Sequence, residues 1–301
     1  MGKMRKTTVD KLFWLLLVIP AMLIVAAFIL IPIADSVRMS FTEYKMKNIL
    51  KGTPAVWNDF ENYIKLFSNS RFLPTITRTF GFVLWVVLAQ FVIGMIFALL
   101  LNSNVRGARF IRSVMMMPWV VPTVISALVW MWIYQSQYGL LKYLISVVTF
   151  GKVNDFAILN STQYAMVGIG IAALWKQIPL TTLLLLAGLQ NVPDDIIEAA
   201  TIDGAGYFTR IVHIVMPYMR SVISVVITMA IIENFKQFPL IWTMTGGGPS
   251  NSTTTLAILS YREAFVSQNL GSGAAVTTIW MILMIVVVAL FKKVLGRQQA
   301  E

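Results

Sequence analysis

Two ionisable side chains, Lys176 and Glu233, stand inside stretches that otherwise carry almost no charge. In hydrocarbon such a group costs roughly 2.5 to 3.5 kcal/mol on insertion scales, so its presence marks a pathway or a partner. Polar neighbours accompany both: Gln177 follows Lys176, and Asn234, Lys236 and Gln237 follow Glu233. On a helix, Glu233, Asn234 and Gln237 share one side by the three-and-four spacing rule. Trp175, Phe235 and Phe238 add aromatic faces of the kind that stack on sugar rings. Two readings stay open. In one, Trp175, Lys176, Gln177, Glu233, Asn234 and Gln237 contact a polar solute in a water-filled cavity, and Lys176 would also suit a solute bearing a negative group. In the other, Glu233 pairs with Lys236 or Lys176, and Gln177 stitches helices together.

Other chemistries find no residues to carry them. The chain has no cysteine and a single histidine, His213, which removes thiolate and disulfide chemistry and leaves no histidine triad or multi-histidine metal site. The glycine run Thr245-Gly-Gly-Gly-Pro249 reads as an irregular turn. The phosphate-cradling pattern Gly-x4-Gly-Lys-Ser/Thr is absent from the sequence, so any ATP this system uses is not held by a P-loop of this chain. Gly94 and the Gly168-x-Gly170 pair read as sites of close helix contact.

The elements that must position these residues follow from composition. Of 301 residues, 57% are hydrophobic and only 12% charged, about half the charge a soluble globular surface carries. This argues against a soluble enzyme. Long uncharged runs predict an all-α polytopic membrane protein with six spans, about 12–34, 79–101, 113–134, 164–189, 219–243 and 275–292. The first run follows a basic start, but it is longer than a signal peptide's apolar region and contains Pro20 and Pro32, so it reads as a retained helix. The formal net charge of +11 is spread between apolar runs and forms no basic face, which argues for membrane orientation and against nucleic acid. With both termini cytoplasmic, twelve Lys and Arg fall in short inner segments that abut the spans and ten in much longer outer segments, the asymmetry expected of cytoplasmic loops.

The longest inner loop, 190–218, carries its own helix signals. Pro193, Asp194 and Asp195 suit a helix start, where a missing N–H is harmless and the macrodipole favours acids. Gly204 and Gly206 would end that helix and turn the chain, and a second short helix would run to Met216 and stop at Pro217. Such a helix pair beside the membrane suits docking into another protein or resting at the lipid interface.

The loop resembles a known motif. Glu198-Ala199-Ala200, then Gly204, Ile214 and Met216-Pro217, match the EAA motif of permease subunits in binding-protein-dependent ABC importers, with Met216 where Leu is usual. Arg106-Gly-x2-Phe-x-Arg112, Met117-Pro118-Trp119, Trp175-Lys-x2-Pro179, Ala187-Gly-Leu-Gln190, Val192-Pro193 and Asp203-Gly-Ala are similar to the maltose-type sugar permeases of that family. So are the glycine run, Tyr261-Arg-x-Ala-Phe265 and Gly271-x-Gly-Ala-Ala275. The likeness covers about residues 10 to 295. It implies a non-catalytic membrane subunit of a sugar importer in a bacterial or archaeal inner membrane, working by alternating access. Its implied partners are a second, related permease chain in a heterodimer, two cytoplasmic ATPase subunits that bind ATP and Mg, and an extracytoplasmic solute-binding protein. Glu198, Ala199, Ala200, Asp203, Gly204, Ile214 and Pro217 would then form the coupling element that meets the ATPase, and the Lys176 and Glu233 neighbourhoods would meet solute. A self-contained secondary transporter is the rival reading.

Overall fold

Proline and glycine decide where the apolar runs stay straight. The computed structural model describes residues 2–103, 107–152 and 157–297; Arg106 and the side chains of Lys3, Arg5, Lys6, Lys11 and Arg297 lie outside the described residues. The chain divides into two compact units, Met1–Asn69 with Ser260–Trp280 and Ser70–Leu259 with Met281–Glu301.

In the first unit, α1 (Gly2–Val25) passes through a π-helical turn at Ala26–Leu30 into α2 (Ile31–Met39). The Ile31 N–H reaches back to the Ala26 carbonyl. That wider turn comes immediately before Pro32, which has no N–H to contribute and whose ring crowds an ordinary helical turn. A short antiparallel ribbon, β1 (Thr42–Glu43) and β2 (Val56–Trp57), encloses α3 (Met46–Lys51) and leads to α4 (Glu61–Ser68). Buried Asn62 of α4 donates to the carbonyls of Ser40 and Thr42 at 2.8 and 2.9 Å. The Gly271-x-Gly273 pattern is demanded by contact: a Cβ on Gly271 would lie 2.2 Å from the Thr42 carbonyl oxygen, and one on Gly273 2.6 Å from the Ala264 Cβ.

The second unit is built on α5 (Phe72–Asn102). It is followed by α6 (Ala108–Met115), α7 (Met117–Val120), α8 (Thr123–Ile133), α9 (Leu140–Val148) and α10 (Ala165–Leu189). Then come α11 (Asp194–Ile202), α12 (Tyr207–Arg210), α13 (Met216–Tyr218), α14 (Arg220–Phe235) and α15 (Pro239–Thr245). Two further helices, α16 (Leu256–Tyr261) and α17 (Leu270–Arg297), cross the boundary between the units. Helix α10 packs chiefly along α5, and α15 along α8. The α5–α10 contact is close because glycine permits it: a Cβ on Gly170 would sit 1.8 Å from Cζ2 of Trp85, and one on Gly94 2.8 Å from Cγ2 of Thr181.

Among the described residues, four helices are long and apolar enough to cross a membrane: Phe13–Met39, Phe72–Asn102, Ala165–Leu189 and Leu270–Lys293. Two regions qualify only as bent pairs, Ala108–Val120 with Thr123–Ile133 at 94° and Tyr207–Tyr218 with Arg220–Phe235 at 78°, so six spans result when each pair counts as one. The spans expected over 113–134 and 219–243 are both interrupted at prolines, residues that commonly kink a spanning helix. In the first, Pro122 forces the preceding Val121 into extended backbone, φ −62° and ψ 131°. The second is broken again at 236–238, because Pro239 has no N–H to return to the Phe235 carbonyl. The helix expected to stop at Pro217 runs on to Tyr218 instead. A π turn at Ile211–Val215, closed by the Met216 N–H on the Ile211 carbonyl, takes up the proline as the turn before Pro32 does.

Candidate functional site

The bend at Val121 and Pro122 opens one wall of a cleft of about 320 Å³ within the second unit, lined by Trp119, Gln90, Lys176, Gln177, Thr181, Glu233 and Gln237 among others. The last carbonyls of a helix have no partner inside it, and here Lys176 of α10 supplies one. Its Nζ donates to the Trp119 carbonyl at 3.2 Å and also to the Val121 carbonyl. Glu233 turns to Lys236 on the next turn of its own chain, 2.7 Å away, and both side chains remain more than half exposed.

A chain of amides runs beneath the cleft. Asn234, 2% exposed, donates to Gln90 Oε1 at 3.3 Å, to Gln177 Oε1 at 3.0 Å and to the Ala230 carbonyl at 2.9 Å. Gln177 returns a bond to Asn234 Oδ1 at 3.2 Å, and Gln90 donates to Thr181 Oγ1 at 2.6 Å. These bonds tie α5, α10 and α14 together, and in a low-dielectric setting a satisfied network of this kind fixes one arrangement of its helices.

Of the six residues proposed from sequence for solute contact, the structure gathers Lys176, Gln177, Glu233 and Gln237 on the cleft wall and sets Asn234 just behind it. Trp175 is not among them: its ring meets Trp130 edge-on, 6.0 Å between centroids. Phe235 is buried against Phe80, and Phe238 stacks on Trp242. The helix spacing rule does not extend to Gln237, since α14 ends at Phe235 and Gln237 reaches the cleft from the break. Sequence reading passes over Gln90, Thr181 and Trp119. Gln90 had a signal, a lone amide in an otherwise apolar run, whereas Trp119 enters only because the chain bends.

The loop 190–218 folds as two short helices fixed to the ends of longer ones. Helix α11 starts after Pro193 with Asp194 and Asp195 in its first turn. It ends in a Schellman pattern, with the Gly204 N–H on the Thr201 carbonyl at 3.1 Å and the Ala205 N–H on the Ala200 carbonyl at 2.9 Å. Gly204 makes that closure possible at φ +80°, a region that L side chains pay to enter. Gly206 has the opposite duty, in extended backbone at the start of α12. Ala200 faces inward, Ile214 is half-buried, and Glu198, Ala199, Asp203 and Pro217 are exposed. Arg210 donates to Thr201 Oγ1 at 2.5 Å, binding α12 to α11. Val192, Val215 and Met219 pack into one apolar cluster with Met95 and Ala98 of α5 and Leu185 and Leu189 of α10. Ile197 of α11 packs against the same cluster, to which Ile223 and Val226 of α14 also belong.

The chain is thus a many-span helical membrane protein with a polar cleft between bent helices and a short helix pair packed against their ends. Residues 90–300 match the family described as binding-protein-dependent transport system inner membrane component, and the chain belongs to that family. It is 33% identical over 282 residues to the trehalose/maltose transport system permease protein MalF of Thermococcus litoralis, covering 93% of this chain and 92% of that protein. Similar likenesses hold to the sulfoquinovosyl glycerol permease SmoG of Agrobacterium fabrum, at 30% identity over 95% of this chain and 91% of that one. The sn-glycerol-3-phosphate permease UgpA of Escherichia coli O6:K15:H31 is 31% identical over 94% of this chain and 95% of its own length. The fold is shared with a chain of a bacterial ABC transporter involved in the import of the acidic polysaccharide alginate, with a TM-score of 0.81 and 18% identity over 99% of both chains.

Proposed function

We propose that this chain is one of two permease subunits of an ATP-driven importer of sugars, oligosaccharides or closely related polyols, and that the cleft at Lys176, Gln177 and Glu233 is where solute crosses. The observation that carries the reading is that Gln90 and Gln177, in the middle of helices otherwise built for hydrocarbon, line the cleft while spending only one amide N–H each on the network that Asn234 anchors behind them. A primary amide has two N–H donors and two acceptor lone pairs, so each keeps groups that a polyhydroxylated solute can use. Named relatives that carry maltose or trehalose, a sulfonated glycoside and a glycerol phosphate support the solute class.

In this reading the loop 190–218 and both termini face the cytoplasm, and a binding protein delivers solute from the other side. A separate ATPase pair holds ATP and Mg and closes against α11. Glu198, Ala199 and Asp203 on the exposed face meet the ATPase, Ala200 seats the helix, and Gly204 sets its exit angle. Closure then moves α5, α10 and α14 together, and the cleft alternates its access between the two sides. Lys176→Met and Glu233→Gln in the assembled transporter test the cleft. Altered rate or altered preference among maltose, trehalose and glycerol phosphate is expected, and wild-type uptake with wild-type selectivity in both variants would overturn its role.

A further inference from the structure

The cleft has a neighbour. A second cavity of about 560 Å³ lies among the end of α8, the turn that follows it, the short 3-10 helix Ile158–Asn160 and the glycine run after α15. Two helices link it to the cleft. Thr123, the first residue of α8, lines the cleft, and Met131 and Trp132 in its last turn line the second cavity. Gln237, just before α15, lines the cleft, and Met244 and Thr245 at its end line the second cavity. Since α8 and α15 pack side by side, both run from one cavity to the other, a distance of roughly 10 to 16 Å at 1.5 Å per residue.

The lining of the second cavity suits a hydroxyl-rich ring. Trp132 and Tyr138 are each 73% exposed, which leaves two large aromatic faces uncovered. Gln135 takes the Ser136 N–H on its side-chain oxygen at 2.9 Å, and its amide N–H groups have no partner among the described residues. Asn160 is exposed and lines the same cavity. Apolar ring faces beside a few unspent amides are the arrangement that small polar ligands use for orientation.

We infer that this second cavity is an outer subsite, which holds a carbohydrate-like solute on Trp132 and Tyr138 before it passes along α8 and α15 to the cleft. The inference rests on the solute reading of the cleft. It places two holding positions in series on one route, so that solute leaving the binding protein is recaptured by the permease before the helices rearrange.

Because the chain has no cysteine, a single introduced thiol reports on one place. In the assembled transporter in nanodiscs, Ser136→Cys in the outer cavity and Thr123→Cys in the cleft would be labelled separately with a small neutral maleimide and read on this chain's band. Labelling would be followed with maltose, trehalose or sn-glycerol 3-phosphate, and with sugar-free binding protein. Whichever solute protects Thr123→Cys is expected to slow labelling at Ser136→Cys too, about tenfold at ten times its apparent Kd by simple mass action. Adding Trp132→Ala should abolish protection at 136 and leave it at 123. Protection at 123 without protection at 136 overturns the outer subsite and leaves the cleft reading standing. Protection at neither position overturns both. Equal slowing at 136 by sugar-free binding protein makes the cavity a docking face and also overturns the subsite.

Discussion

Replacing Lys176 by Met separates two opposing energies. An ionised lysine in a span costs roughly 2.5 to 3.5 kcal/mol to insert, so the Met variant should enter the membrane at least as readily as the wild type. Once folded, however, the lysine ammonium donates to the carbonyls of Trp119 and Val121, where the third span bends by 94°. Removing it leaves two carbonyl oxygens without that donor. The bond to Trp119 is exposed and the one to Val121 only part-buried, and water can substitute in the cleft, so each contributes no more than the lower end of a net hydrogen bond, about 0.5 kcal/mol, or about 1 kcal/mol together. Unfolding by SDS titration in mixed micelles reads this second quantity, since the helices stay in the micelle and the insertion difference largely cancels. The expected result is normal membrane yield, a lower SDS midpoint, and recovery in Lys176→Arg, which keeps donors at that place. A Met variant as stable as wild type, or an Arg variant no better than Met, would refute the role of Lys176 at the bend.

Three other perturbations follow from particular contacts. Gly170→Ala should drive its new Cβ into Trp85 and destabilise the α5–α10 pair by about 1 to 3 kcal/mol; Trp85→Ala in the same chain should recover part of that loss in the SDS titration, and strictly additive losses would show the two side chains are not in conflict. Gly204→Pro and Glu198→Lys should leave insertion intact while weakening ATPase retention on purification and uncoupling hydrolysis from uptake; wild-type uptake in either would remove α11 from the coupling role. Asn234→Leu strips partners from Gln90 and Gln177 at once, and should cost about 1 to 3 kcal/mol, since buried Gln90 and half-buried Gln177 each lose a bond; a midpoint unchanged from wild type would mean the amide chain does not hold these helices.

What could be read in the sequence was whatever depends on local chemistry. Pro193 with its two acids marks the start of α11, and Gly204 marks its end, because capping and left-handed backbone are decided within a few residues. Gly94 and Gly170 announce close helix approach for the same reason, since no other residue leaves that space. What could not be read depends on distant partners. Lys176 is as near in sequence to Gln177 as to Trp175, yet its ammonium is claimed by carbonyls more than fifty positions away, and Trp175 turns to Trp130. The bend that brings Trp119 into the cleft was legible only as a proline inside an apolar run, and a proline can kink, pass through a π turn, or end a helix. Pro122, Pro217 and Pro239 show three outcomes: a bend of 94°, passage through a widened turn, and a break of three residues.

The most direct test of the central claim is solute uptake into proteoliposomes holding this chain with its partner permease, measured with and without the ATPase, the binding protein and internal-facing ATP. The account predicts uptake only when all three are present, abolished by vanadate and sharply reduced by Gly204→Pro. Uptake by the permease pair alone, driven by a solute or ion gradient and indifferent to ATP, would contradict it.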